Sequence, residues 1–292
     1  MSSKNYSSMV FEYIDLKKKP PLLYHYTSVY GLEGILKNKE FWISHSDFLN
    51  DKTERQYTLN LLINIVQKKL ENYPAKMKAI TDFIQRNLNK KIYPTYVLSL
   101  SKNKDSNLLW SNYSQDDGYN IEFDLSSFKE YVSFPDQNVE DSIRFYCSKV
   151  IYDSQVHEKA LNELADNYIE VFAEYAQKKD EIDFIESVNS LLVTFQLLAA
   201  FFKDSCFQQE EEYRIAIYPV ISDDLSYECR VTNGAFIPYI RMKFDRSAVK
   251  GITIGPKNKM DISEEGLRSF LSLNKFDLEP IEINRSKIPY RY

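Results

Sequence analysis

Residues 22–45, LLYHYTSVYGLEGILKNKEFWISH, pass through a strand, a helix and a second strand within twenty-four positions. The aromatic and apolar run LLYHYT suits a pleated, half-buried surface. Ser28 then stands as a helix N-cap, with Val29, Leu32, Ile35 and Leu36 along one face of the helix behind it. EFWISH is extended again. His25, one of only three histidines, sits between two tyrosines at the end of the first strand. Three roles are open to it there: a satisfied core residue, a metal ligand, or the hydrogen-bonding corner of a nucleotide pocket.

The rest of the chain continues this mixture. A short helix near the start ends at KKKPP, where the prolines force an extended entry. Leu59, Leu62, Ile63, Val66 and Leu70 repeat at helical spacing, and a further helix is expected near Ala75 to Asn87. The segments TYVLSLS, GYNIEFDL and SIRFYCSKVIY read as strands, with the helical NLLWSNY between the first two. Two long helices fill Gln155 to Lys178 and Asp180 to Lys203. After them come strands in EEEYRIAIYPV, GAFIPYIRMKF and VKGITIGP, a helix over Ser263 to Leu273, and a short closing strand. Strands and helices mix without regular alternation, which predicts an α+β fold. No shift of composition marks a boundary. The expectation is one domain over 1–292, with a core of about 20–150 and 205–290 and a helical insertion of about 155–203.

Composition narrows the function classes. Only 7 of 292 residues are glycine, and neither G-x-G-x-x-G nor a Walker lysine motif is present. A net charge of -5 gives no global basic field for nucleic acid. Cys147, Cys206 and Cys229 are far apart and form neither a disulfide framework nor a zinc cage, as expected in a reducing cytosol. The longest apolar run, LLVTFQLLAAFF from Leu191 to Phe202, is shorter than the roughly 20 residues of a membrane span. A cytoplasmic protein with no membrane partner is expected. His25, His45, Asp47 and Asp51 are close in sequence, but no tight ligand spacing joins them, so no metal site is assigned.

Chemistry concentrates in three places. In QQEEEYRIAIYP, strand alternation puts Glu210, Glu212 and Arg214 on one side, opposite Tyr213, Ile215 and Ile217. An exposed Glu–Arg pair explains that pattern as well as a cleft does. In FLNDKTER, Asp51 and Glu54 form a capping box for the following helix, leaving Asn50 to fix the turn or reach a ligand. In NLLWSNY, Trp110 and Tyr113 share a helical face, where a pair is either core or a stacking platform.

Taken in order, LYHYTSVYGLEGILKNKEFWIS…FLNDKTE, LSLSKNKDSNLLWSNYSQDDGYNIEFDL, CFQQEEEYRIAI and VKGITIGP resemble a bacterial family catalogued as domain of unknown function 2971. Phe207 stands where that family has tryptophan before the E-x-E. A strand ending in His-x-Thr and followed at once by a helix is also similar to the opening of the ADP-ribosyltransferase superfamily. That second resemblance implies a mixed, split sheet with flanking helices, and NAD as the substrate. It implies His25, Tyr26 and Thr27 at the NAD ribose, with Asn50 and Arg214 in the same pocket. Tyr113 is implied as the aromatic stacked on nicotinamide, with Trp110 as the fallback. Glu212 is implied as the catalytic carboxylate, with Glu210 acting on the acceptor. The expected function is ADP-ribose transfer from NAD to a protein, nucleic acid or nucleotide acceptor, as in a bacterial toxin or anti-phage effector with an antitoxin or defence-system partner. The alternative is a non-catalytic nucleotide-sensing or partner-binding subunit on the same fold.

Overall fold

The computed structural model describes residues 6–14, 22–48, 53–89, 94–115, 117–124, 132–133, 143–178, 180–219, 227–232 and 234–289. In chain order these form α1 (Val10–Tyr13), β1 (Leu22–Thr27), α2 (Val29–Asn38), β2 (Glu40–His45), α3 (Thr53–Lys69) and α4 (Pro74–Asn89). Then come β3 (Tyr96–Ser101), α5 (Asn107–Tyr113), β4 (Tyr119–Asp124), β5 (Val132–Ser133), β6 (Ile143–Lys149), α6 (Ser154–Lys178) and α7 (Glu181–Phe201). The chain ends with β7 (Glu212–Pro219), β8 (Glu228–Thr232), β9 (Ala235–Phe244), β10 (Val249–Ile254), α8 (Ser263–Leu273) and β11 (Glu282–Arg285). The fold is α+β with a mixed sheet. The described residues divide into a helical unit, within 1–17, 45–95 and 148–208, and a sheet unit, within 18–44, 96–147 and 209–292. The helical unit therefore takes in 45–95 as well as the helical pair expected at 155–203.

Apolar stripes account for the helical unit. Leu59, Leu62 and Val66 of α3, Ile80 and Ile84 of α4, Leu161 and Leu164 of α6, and Leu191, Phe195 and Leu198 of α7 are all buried. Asp180 caps α7, accepting from the amides of Ile182 and Asp183 at 3.1 Å each. At 21 residues, α7 extends well beyond the apolar run recognised in the sequence, and by length and composition it could cross a bilayer. Two thirds of its apolar window (67%) is buried, as in a core helix. His157 is also enclosed here. Its Nε2–H donates to the Ile151 carbonyl at 2.8 Å, its Nδ1 takes the Tyr57 hydroxyl at 3.0 Å, and its ring stacks on Phe202. Glu54, at the start of α3, ion-pairs with the buried Lys203 at 3.0 Å, while Asp51 lies outside the described residues.

In the sheet unit, Ser28 caps α2 by accepting from the Gly31 amide at 3.2 Å, a bond worth about 1 kcal/mol. α2 and α8 cover one face of the sheet. Leu32, Leu36, Leu267 and Leu271 pack there with Leu23, Phe41, Ile43, Ile121, Tyr213, Ile215 and Ile217. The pivotal strand is β3. Its whole length, Tyr96 to Ser101, pairs antiparallel with β7, which fills one edge. β1 and β2 share the other edge, β1 through the single pair Tyr24↔Ser101. The sheet forks at this strand. One arm runs β1-β4-β10-β11, and the other runs from β2 to β9, flanked by β8 and β5.

Candidate functional site

Register decides which side chains meet. Tyr24 faces Glu122 across β4 and Ser101 across β3, and Ser101 faces Glu212 across β7. Cross-strand partners share a face. Glu122, Tyr24, Ser101 and Glu212 therefore form one row on the face opposite the apolar core, spanning three strand spacings, roughly 14 Å. His25 pairs with Ile121, which is core. Its ring meets Phe41 edge-on at 5.4 Å. His25 and Glu212 thus lie on opposite faces of the sheet, and Tyr24 is the β1 residue in the Glu212 row.

The acidic run is shaped differently from a continuous strand. Glu210 ends a 3-10 turn (Ser205–Glu210), Glu211 adopts a left-handed φ of 46°, and the strand begins at Glu212. Simple alternation therefore does not place Glu210; the Glu211 turn does. Two bonds from β3 and the residue after it hold this turn: the Ser101 hydroxyl donates to the Glu210 carbonyl at 2.7 Å, and the Lys102 amide to that of Glu211 at 3.1 Å. Positive φ in a side-chain-bearing residue costs on the order of 1 kcal/mol and persists where the surroundings over-determine it.

Both flanking carboxylates are buried. Glu212 and Arg214 are 6% and 3% exposed, and the guanidinium grips the carboxylate through Nε at 2.7 Å and Nη2 at 3.0 Å. This is the buried form of the pair that the sequence also allowed on an exposed strip. Such a fork fixes the Glu212 rotamer. Glu210 receives the Tyr113 hydroxyl on Oε1 at 3.1 Å. Tyr113 is 39% exposed, while its hydroxyl holds a carboxylate.

Trp110 is placed otherwise. It is 2% exposed, its Nε1–H is committed to Asp105 at 2.7 Å, and its ring meets Tyr26 edge-on. It is core rather than a platform. Tyr26 itself donates to the Asn103 carbonyl at 2.7 Å and accepts from the Ser106 amide at 3.0 Å, so it organises the loop after β3. Thr27 packs under the first turn of α2, where a Cβ added to Gly31 would sit 1.9 Å from its hydroxyl. Asn50 lies outside the described residues.

Two groups were not legible as site residues. Lys104 ion-pairs with Glu122 at 2.9 Å beside Tyr24, at the far end of the row. Burial, and next the Glu122 charge, push the Tyr24 phenol up from its usual range. At the fork, Arg230 of β8 reaches across β9 to donate to the Ser44 hydroxyl at 2.8 Å. His25 donates through Nδ1 to the Ser99 carbonyl at 3.4 Å. Burial first, with the Arg230 charge added, takes the imidazole down to about 4, so it is neutral at pH 7.

Residues 109–215 match the family model described as Protein of unknown function (DUF2971). The matched stretch carries Trp110, Tyr113, Glu210, Glu212 and Arg214 and stops short of His25 on its N-terminal side. No curated protein and no solved structure matches the chain.

Proposed function

We propose, for a chain whose residues 109–215 match the DUF2971 family model, that it is an ADP-ribosyltransferase-like enzyme acting on NAD. The reaction centre in this reading is the set Tyr113, Glu210 and Glu212. One observation carries it: an exposed aromatic ring holds one buried carboxylate by its hydroxyl, and the neighbouring carboxylate is locked by Arg214.

Loss of nicotinamide from NAD leaves positive charge on the ribose, in an oxocarbenium-like state of the kind glycosidases stabilise. A carboxylate fixed before the reaction stabilises that charge without reorganising. Glu212 has that fixity. Tyr113 supplies a face for the planar nicotinamide. Glu210 is placed to take the proton of the acceptor nucleophile, with the Tyr113 hydroxyl steadying it.

The test incubates the full chain with NAD carrying label in the adenosine half, in the presence of cell extract. Nicotinamide release and label transfer are followed for wild type and Glu212→Gln. Release by wild type and its loss in the variant support the reading; no release by wild type sinks it.

A second reading, a nucleotide-binding subunit without catalysis, is favoured by the opposite-face placement of His25 and Glu212 and by the neutralising grip of Arg214. It predicts NAD binding by wild type with the glycosidic bond left intact.

A further inference from the structure

We propose that the fork between β1 and β2 is a phosphate-recognition subsite for a nucleotide, with Arg230 as its cation. Identifying that nucleotide as NAD rests on the function proposed above; the phosphate subsite itself stands on the geometry of the fork.

The case begins with an unbalanced charge. Arg230 donates to the Ser44 hydroxyl at 2.8 Å and to the Trp42 carbonyl at 3.4 Å, and among the described residues no carboxylate pairs with it. Carboxylates are close by but engaged. Glu228, two residues earlier on the same strand face, takes the Tyr239 hydroxyl at 2.7 Å and pairs with Arg241. Glu40 accepts the Trp42 indole N–H at 3.0 Å. Burial is strong enough to lower the Arg230 pKa from its ordinary value. A half-buried guanidinium given only neutral acceptors keeps an unmatched charge, and an arriving anion would balance it. Its planar fork matches phosphate oxygens in pairs.

The surroundings fit a nucleotide better than a bare anion. With Nδ1–H given to the Ser99 carbonyl, neutral His25 presents Nε2 as an acceptor, and Nε2 has no partner among the described residues. An acceptor repels a phosphate oxygen and attracts a hydroxyl, so cation and acceptor together suit a sugar phosphate. Trp42, 40% exposed and stacked on Tyr239 at 4.7 Å, walls the same place with an aromatic surface. Ser44, Trp42, Tyr239 and Arg230 all lie on the face opposite the core, as Glu212 does. His25 reaches the fork from the core side. A ligand anchored at Arg230 would therefore lie on the face that carries the carboxylates.

Calorimetric titration of the full chain with ADP-ribose and, separately, inorganic pyrophosphate tests this. Wild type is expected to bind both. Arg230→Gln should weaken both by roughly tenfold or more, the scale of losing charge-assisted hydrogen bonds. His25→Ala should weaken ADP-ribose alone. Equal pyrophosphate affinity in wild type and Arg230→Gln, or binding of neither probe by wild type, overturns the proposal. A measurement on unaltered protein guards against a variant that misfolds. Pyrophosphate should shield Arg230 from modification by phenylglyoxal, read by peptide mass spectrometry, and absence of shielding also overturns it. Phosphate binding with no nicotinamide release would leave this subsite standing and defeat only the transferase reading.

Discussion

The hydroxyl of Tyr113 donates to Glu210 Oε1 at 3.1 Å, tying a half-exposed ring to a carboxylate that is 6% exposed. Ring and hydroxyl can be separated by substitution. Tyr113→Phe keeps the ring and removes its bond to the carboxylate, so nicotinamide release should fall mainly in kcat, by about tenfold, the scale of one hydrogen bond to a charged group. Tyr113→Ala should raise KM as well. Steady-state kinetics with NAD distinguish the two patterns, and an effect on neither parameter removes Tyr113 from the site.

Arg214 and Glu212 are both buried, and removing the guanidinium takes two charge-assisted bonds from the carboxylate. Arg214→Ala should destabilise the fold by about 2–3 kcal/mol, the scale of losing hydrogen bonds to a buried charged group. Urea denaturation measures it. A loss below about 1 kcal/mol would mean that the Arg214 fork adds little to the fold.

Glu211 carries the positive φ between the two buried carboxylates. Glycine adopts that conformation without a Cβ clash. Glu211→Gly should therefore raise stability by up to about 1 kcal/mol, with the unfolded chain's added freedom taking back part of the gain. Equilibrium denaturation would show a raised midpoint with an unchanged slope.

Gly31 and Thr27 are coupled by contact. Gly31→Ala should cost about 1–3 kcal/mol through overpacking, because its new methyl meets the Thr27 hydroxyl. Thr27→Ala should recover part of that loss. A double-mutant cycle in thermal denaturation gives the coupling, and additivity within about 0.5 kcal/mol would refute the contact.

Two histidines set an acid dependence. His25 is held at about 4 against an ordinary 6.5, and burial lowers His157 in the same direction. Across that interval the unfolded chain binds more protons than the folded one, so stability is full above about 6.5 and falls as pH drops toward 4. Urea midpoints should decline between pH 7 and 5. His25→Gln should flatten the decline, and an identical slope in the variant would contradict the assignment.

Local chemistry was legible in the sequence where one element settled it. The Ser28 cap, the span Ser263–Leu273 and the two long helices all follow from spacing and caps near in sequence. That Tyr113 is exposed and Trp110 buried follows only once α5 docks. Two further features were beyond the reach of the sequence. Alternation from Glu210 to Arg214 assumes extended backbone throughout, and the left-handed turn at Glu211 is set by bonds from β3, over a hundred residues earlier. Arg230 reads as an ordinary strand-edge arginine until β9 brings it against Ser44, 186 positions away. His25 illustrates the same limit: its face depends on pairing with β4, which the HYT motif alone does not encode.

The fork at β3 also governs how the molecule is made. β3 has partners at Tyr24, long before it in the chain, and at Glu212, long after. Pairing across such separations closes slowly, since loop entropy is spent before contacts return it. A chain emerging from the ribosome presents β3 with its β7 edge bare until residue 219 has cleared the exit. Until then LSLS is an unprotected strand edge, open to wrong pairing. The strand that joins the two arms of the sheet is therefore also where newly made chains are most exposed to aggregation.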